Sequence, residues 1–370
     1  MFYHLLFPLA DRHILFNLFQ YITFRSAAAM GTALLLAFWV GPTVVARLRA
    51  RKLGQVVRLD GPHAHLSKAG TPTMGGLIIL LATIIPTLLW ARLDNAYVWI
   101  ALGVTATLGT LGWVDDYLKV VRHQPRGLVA RYKLAGQLLL GSALGVVLFF
   151  PFFPLSEYAA NHTTLPFFKE WRLVIWAPLF IPFVALVLTG SSNAVNLADG
   201  LDGLATGLAA IAAVTFAVFA YLVGRVDTSA YLGLFYLPGT GELTVFCVAL
   251  AGAALGFLWF NCHPAQVFMG DTGSLALGGA LGAVAVLIKG EFLLLIIGGV
   301  FVLEAVSVIL QTGWFKYTRR RYGTGRRLFR MAPIHHHFEQ IGWPETRVVV
   351  RFWILGILCA LVGLSTLKIR

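Results

Sequence analysis

The run SSNAVNLADGLDGLATGLAAIAAVTFAVFAYLV, residues 191–223, decides the fold. Its second part, Gly203 to Val223, holds 21 residues without a charge. At about 1.5 Å per residue such a helix is about 31 Å long, the thickness of a bilayer's hydrocarbon. A helix also satisfies every backbone N–H and C=O internally, which lipid demands. The first part is polar, with Asn193, Asn196, Asp199 and Asp202 recurring every third residue. A straight α-helix turns successive members of that series by about 60°, too widely for all four to converge. Gly200 and Gly203 permit an unwound stretch that would gather them. A polar cap between spans explains one Asp, but hardly two Asp plus two Asn.

The apolar span recurs along the chain. Ten segments fit a crossing helix: 25–46, 72–91, 95–114, 134–153, 173–190, 203–223, 243–260, 273–288, 292–314 and 348–367. The eighth is short, and only Lys289-Gly290-Glu291 separates it from the ninth, as in a tight hairpin. Over 370 residues, 58% are hydrophobic and 12% charged, with mean hydropathy +0.78. A soluble domain carries about 25% charged residues. The expected fold is therefore all-α, a polytopic membrane protein with ten transmembrane helices in a single domain, residues 1–370. Met1 to Phe24 is apolar but broken by Pro8, Asp11 and Arg12, without a basic n-region or cleavage site, and reads as interfacial. Cys247 and Cys359 lie in apolar runs, and Cys262-His263 alone does not define a metal site.

The formal charge of +13 does not point to nucleic acid, because the positive residues sit between apolar runs, where orientation and anionic headgroups account for them. Nineteen of the 29 Lys and Arg fall in the five loops after the odd-numbered spans; nine lie on the opposite side, and Arg351 lies within the last span. The positive-inside rule makes the odd loops cytoplasmic and puts both termini outside.

Every polar cluster with chemical potential occupies those same five loops. Asp115 and Asp116 follow an apolar span directly in GWVDDYLKVV, with Lys119 on the same helix face. Two carboxylates about 5 Å apart repel by roughly 3 kcal/mol at an effective dielectric of 20, so a cation must offset them; a solvated helix end is the bland alternative. Asn261 and Asp271 flank a glycine-rich turn at the mouth of span eight. Asp271 is either the N-cap of that span or a ligand for Mg²⁺, which prefers a few carboxylates, water and phosphate oxygens. Phe268 can stack a base, although a lone aromatic is more often packing. His335, His336 and His337 sit between Pro333 and Phe338, with Arg326, Arg327 and Arg330 upstream, and suit phosphate contact. They lack zinc-hydrolase spacing, and no Gly-x-x-x-x-Gly-Lys loop occurs. Carboxylates, a lysine, imidazoles and glycine turns on one surface point to metal-assisted phosphoryl transfer.

With these motifs in hand, the stretch from about Phe24 to Arg370 resembles the phospho-N-acetylmuramoyl-pentapeptide transferases, a branch of the polyprenyl-phosphate N-acetylhexosamine-1-phosphate transferase superfamily. The strings are KAGTPTMGG (68–76), VDDYLK (114–119), NAVNLADGLDGLA (193–205), FNCHPAQVFMGDTGSLALGG (260–279) and MAPIHHHFE (331–339). The resemblance implies ten spans with external termini in the bacterial inner membrane and a site facing the cytoplasm. It implies transfer from UDP-N-acetylmuramoyl-pentapeptide to undecaprenyl phosphate, giving lipid I and UMP. By motif, Asp271 would bind Mg²⁺, while Asp115 and Asp116 would act on the lipid phosphate. Lys68, Asn196, Asp199, Asp202 and Phe268 would line the nucleotide pocket. Lys119, Lys133, Asn261, His335, His336 and His337 would contact or support phosphates, with Asn193 among the binding residues and His335 among the catalytic ones. A homodimer is compatible with the chain.

Two rivals stand beside this reading. A sister transferase would use UDP-N-acetylglucosamine, against which the His triplet and the threonines after Lys68 argue. A secondary transporter would place ionisable groups near the midplane, where only Glu304 and Arg351 qualify.

Overall fold

The computed structural model describes residues 1–51, 70–124, 127–150 and 161–368. Short helical turns between Phe2 and Gln20, of which α1 (Phe2–Leu6) is the first, replace a single N-terminal helix and expose Ile14, Leu15 and Leu18. The long helices are α2 (Ile22–Ala50), α3 (Gly76–Trp90), α4 (Ala96–Val120), α5 (Ala130–Phe149), α6 (Ala177–Ala198) and α7 (Leu204–Val223), then, after the short α8 (Val226–Leu232), α9 (Leu243–Asn261) and α10 (Gly270–Leu287). They are followed by α11 (Glu291–Ile297), α12 (Gly299–Tyr322), α13 (Ile334–Gln340) and α14 (Glu345–Ser365). Among the described residues nine helices are long and apolar enough to cross a membrane; α3, at 15 residues, is an apolar helix below that length.

Each of the ten expected segments is largely helical, with two differences. The ninth is broken at Gly298 into α11 and α12. The fifth begins inside a β-hairpin, β1 (His162–Leu165) against β2 (Phe168–Val174), which pairs His162 with Val174 and turns through Phe167 at φ 71°. The hairpin is tied down by Thr163, whose hydroxyl donates to Glu291 Oε2 at 2.6 Å.

The core gathers around α10, whose residues Thr272 to Leu287 are all buried. Glycine and alanine fill its surface, allowing backbones to approach closely, as helix pairs in lipid require. A Cβ on Gly76 would strike the backbone of Gly273, and one on Gly112 would strike that of Asp271. These contacts bring α3 and α4 onto the first turn of α10. At the opposite end of the bundle, Arg25 of α2 donates two 2.6 Å hydrogen bonds to Glu242, a pair that is almost wholly buried.

Candidate active site

The mouth of α10 is built by an acid from another helix. Gly270 takes φ +72°, the left-handed region that favours glycine, and the chain then enters the helix. Its first N–H groups lack helical partners. Asp116 of α4 supplies them: Oδ1 accepts from Asp271 N at 3.1 Å, and Oδ2 accepts from Thr272 N at 2.9 Å and Thr272 Oγ1 at 2.6 Å. Asp271 is therefore not the cap of its own helix; it lies in the first turn, with Met269 at the N-cap position. Freed from capping, its carboxylate faces a recess between α4, α5, α6 and α10.

Four donors converge on the acids there. Asp271 Oδ2 accepts from Lys119 Nζ at 2.9 Å and from Lys133 Nζ at 2.8 Å, and Oδ1 accepts from Asn196 Nδ2 at 2.7 Å. Lys119 also bonds Asp115 Oδ2 at 2.8 Å, and Leu128 N donates to Asp115 Oδ1 at 2.6 Å. Ser274 accepts the second Asn196 N–H at 2.8 Å, fixing the amide with its nitrogen toward Asp271. Asp115 and Asp116 are nearly inaccessible, at 2% and 3% exposure, whereas the side chains of Asp271 and Lys133 are 14% exposed and that of Lys119 38%. The paired acids thus form the back of the recess, and Asp271 with the two lysines forms its floor.

Asp199, at the end of α6, is the fourth acid. It is half-buried, and among the described residues its carboxylate has no hydrogen-bond or ion-pair partner. Withdrawal from water, followed by the charges of Asp271, Asp116 and Asp202, pushes its carboxyl well above the usual carboxylate range. Among the described residues of the recess, four carboxylates therefore face two ammonium groups.

The three-residue series of polar groups separates. The helix α6 continues through Ala198 instead of unwinding early, and Asn193 consequently points away from the recess, donating to Gln137 Oε1 at 2.8 Å and Thr189 O at 2.9 Å. Asp202 turns to the other side: its Oδ2 accepts from Ala265 N and contacts His263 Nδ1, both at 3.1 Å, and its own N–H donates to Glu345 Oε1 at 2.7 Å. Asp202, His263 and Glu345 hold potential ligand atoms within 4.8 Å of one another. Their hydrogen bonds make them a clamp between the turn before α7, the 262–269 loop and α14. Asn261 is buried and structural in the same way, accepting from Gly203 N and Thr206 Oγ1 and donating to Val267 O. Phe268 is half-buried, and its backbone ties the 262–269 loop to Pro72 and Gly75.

The His triplet divides three ways. His335 is fully buried with Nδ1 3.1 Å from Glu304 Oε2; His336 Nδ1 lies 2.7 Å from Glu339 Oε2; His337 Nδ1 accepts from Arg330 N at 3.1 Å. None of the three is hydrogen-bonded to the recess acids, so an immediate catalytic contact for His335 is not what the geometry offers. Lys68 lies outside the described residues. Sequence reasoning missed Thr272, Ser274 and Gln137, which orient Asp116, Asn196 and Asn193. Thr272 and Ser274 could have been found as the hydroxyls directly following Asp271; Gln137 and Glu345 carried no signal in their neighbourhoods. The two midplane candidates of the transporter reading are both engaged, Glu304 by His335 and Arg351 by the ring of Trp343, 4.1 Å from its guanidinium.

A bundle of apolar helices with an acid- and lysine-lined recess at one helix mouth suits a transferase working at a membrane, and residues 98–289 match Glycosyl transferase family 4, which sets the class. Residues 68–80 match the phospho-N-acetylmuramoyl-pentapeptide-transferase signature 1. The chain is 60% identical to the phospho-N-acetylmuramoyl-pentapeptide-transferase of Gemmatimonas aurantiaca, 56% to that of Citrifermentans bemidjiense and 53% to that of Desulfatibacillum aliphaticivorans, each over the full length of both chains. The chain belongs to the phospho-N-acetylmuramoyl-pentapeptide-transferase family.

Proposed function

We propose that this protein transfers phospho-N-acetylmuramoyl-pentapeptide from its UDP conjugate to undecaprenyl phosphate, forming lipid I and UMP for peptidoglycan synthesis. One observation carries the assignment within the family: Asp115, Asp116, Asp199 and Asp271 meet Lys119 and Lys133 at a single helix mouth. In this reading the apolar helices, α3 included, form ten spans of a bacterial inner membrane. Both termini then lie in the periplasm and the recess opens to the cytoplasm, which the bias of Lys and Arg supports.

The donor set suits Mg²⁺. All candidate ligands are hard oxygens, and the Asp199 carboxyl, held toward its neutral form by burial and the neighbouring acids, is a group that a divalent cation would draw to its ionised form. Asp271 would hold the ion, with Asp199 beside it. When bound, Mg²⁺ supplies charge neutralisation to the phosphates.

The chain's own residues do the rest. A lipid phosphate oxygen attacks the β-phosphorus of the nucleotide, the β-phosphorus–oxygen bond to the α-phosphate breaks, and UMP leaves with that bridging oxygen. One phosphoanhydride replaces another, so the exchange is nearly isoergic. Both partners are anionic, and Lys119 and Lys133 are placed to screen them. A phosphate monoester already ionises near neutral pH, so a strong base is not required, and Asp115 positions the acceptor through Lys119 in a single displacement. Asp116 holds the first turn of α10 and thereby the direction of Asp271. Lys68 and Phe268 are assigned to the nucleotide, with Asp202 and Asn261 holding the 262–269 loop that carries Phe268, and His336 and His337 are assigned to its phosphates.

The test is Mg²⁺-dependent UMP release by the purified protein with undecaprenyl phosphate, comparing UDP-N-acetylmuramoyl-pentapeptide with UDP-N-acetylglucosamine. Turnover of the first alone is expected. Asp271→Asn should nearly abolish release while the protein stays folded, and undiminished release in that variant would remove the site from this recess.

A further inference from the structure

Two fully buried titratable groups have no direct part in the transfer. Glu304 is the sole acid of α12, and His335 opens the triplet on α13; both show 0% exposure. Glu304 Oε2 lies 3.1 Å from His335 Nδ1 but off hydrogen-bond alignment, and neither side chain has another hydrogen-bond partner among the described residues. A carboxylate isolated in an apolar interior is costly, so its presence at this depth needs a partner. His335 is the group that faces it.

The other edge of the imidazole meets the active site. A Cβ on Gly200 would collide with His335 Nε2 and lie 2.8 Å from Cε1. Gly200 directly follows Asp199, the acid at the end of α6, and helix α12 packs along α6. His335 therefore stands as a wedge between the single acid of α12 and the turn that presents Asp199 to Asp271 and Asp116.

We infer that Glu304 is a positioning residue for the transfer: it fixes the His335 ring, and the ring sets the Asp199–Gly200 turn. The pair acts on turnover as one unit, without touching the substrates. Orientation of a working group by a carboxylate behind its histidine is a general device of buried sites. This inference rests on the transfer reaction and recess assigned above.

The experiment measures kcat and KM for the nucleotide by UMP release with protein in detergent or nanodiscs. Glu304→Ala should lower kcat by about 10- to 100-fold, as expected for a working group misplaced by about 1 Å, with KM within about threefold of wild type. Glu304→Gln keeps an oxygen facing Nδ1 and should recover kcat to within about fivefold of wild type. The double variant Glu304→Ala/His335→Ala should be no slower than His335→Ala alone, the signature of residues that act together. If Glu304→Ala cannot be recovered folded, Glu304→Asp withdraws the carboxylate by one methylene and should show the same loss of kcat. A kcat for Glu304→Ala or Glu304→Asp within twofold of wild type, an equal loss in Glu304→Gln and Glu304→Ala, or additive losses in the double variant would overturn the inference. Failure of the site reading is separately visible, as undiminished release by Asp271→Asn.

Discussion

Asp116→Asn tests how the fold holds its site. The wild-type carboxylate accepts three hydrogen bonds from the first turn of α10, two at Oδ2 and one at Oδ1. An asparagine can keep its carbonyl on Thr272, but its amide then turns an N–H toward the N–H of Asp271, and that bond is lost. A hydrogen bond to a charged acceptor contributes about 1.5–3 kcal/mol. A negative charge at a helix N-terminus adds about 0.3–1 kcal/mol, or more when buried. The change should therefore cost roughly 2–4 kcal/mol, concentrated at the turn that carries Asp271. Thermal melting in detergent should show a clear fall, and UMP release should drop by about 10²-fold as Asp271 loses its direction. Asp271→Asn, by contrast, weakens the bonds from Lys119 and Lys133, so its melting temperature should fall too, but it leaves the start of α10 capped and should abolish release outright instead of lowering it by about 10²-fold. If Asp116→Asn melts with wild type, the carboxylate does not carry the helix start, and the division of labour between the two acids is refuted.

Asp199→Asn should raise the metal-free melting temperature at neutral pH and shrink the increment produced by added Mg²⁺, measured in a chelator and then in a Mg²⁺ titration. The sign follows from its raised carboxyl: the folded state holds the proton more tightly than the unfolded chain, so wild-type stability falls as pH rises from the usual value of 3.8 through the higher folded one, and the variant lacks that slope. Gly112→Ala would set a methyl group on the Asp271 backbone, forcing α4 and α10 apart, and UMP release should fall by about 10²-fold with the protein still monodisperse. Arg25→Ala leaves Glu242 buried without its partner and should cost about 3–5 kcal/mol in denaturant or thermal unfolding, far from the recess.

The spans were legible because lipid allows few solutions: a chain that crosses it must be helical and apolar for its whole length. The hairpin at 162–174 was not, since His162 to Leu165 is too short to show alternation and Leu173-Val174 joins smoothly to the apolar run beyond. At the site, Asp115, Asp271 and Asn196 could be picked out as polar groups at the mouths of spans, where their type already implies phosphate or metal chemistry. Their partners could not. Asp116 and Thr272 are 156 residues apart, and the pairing depends on how α4 crosses α10. Asn193 and Asp202 do not join Asn196 and Asp199 at the recess for a local reason: that series converges only on an unwound segment, but the backbone stays helical through Ala198 and unwinds only over the next five residues, ending in Gly203 at φ +80°.

The packing of α10 and the chemistry at its mouth have one cause. Four carboxylates in a recess repel one another, and lysines alone do not balance them. The N-terminus of a long helix adds roughly half a positive charge, and α10 aims that end at Asp116, whose oxygens take its first N–H groups. The helix can do so only because its flanks are glycine and alanine: Gly273 admits Gly76 of α3, Gly278 admits the Ser191–Ser192 backbone of α6, and the turn of Asp271 receives Gly112 of α4. Larger residues there would move each helix outward by an ångström or more, and the acids would separate with them. The small residues that pack this bundle in lipid are thus also what brings acids from distant parts of the chain to one helix mouth.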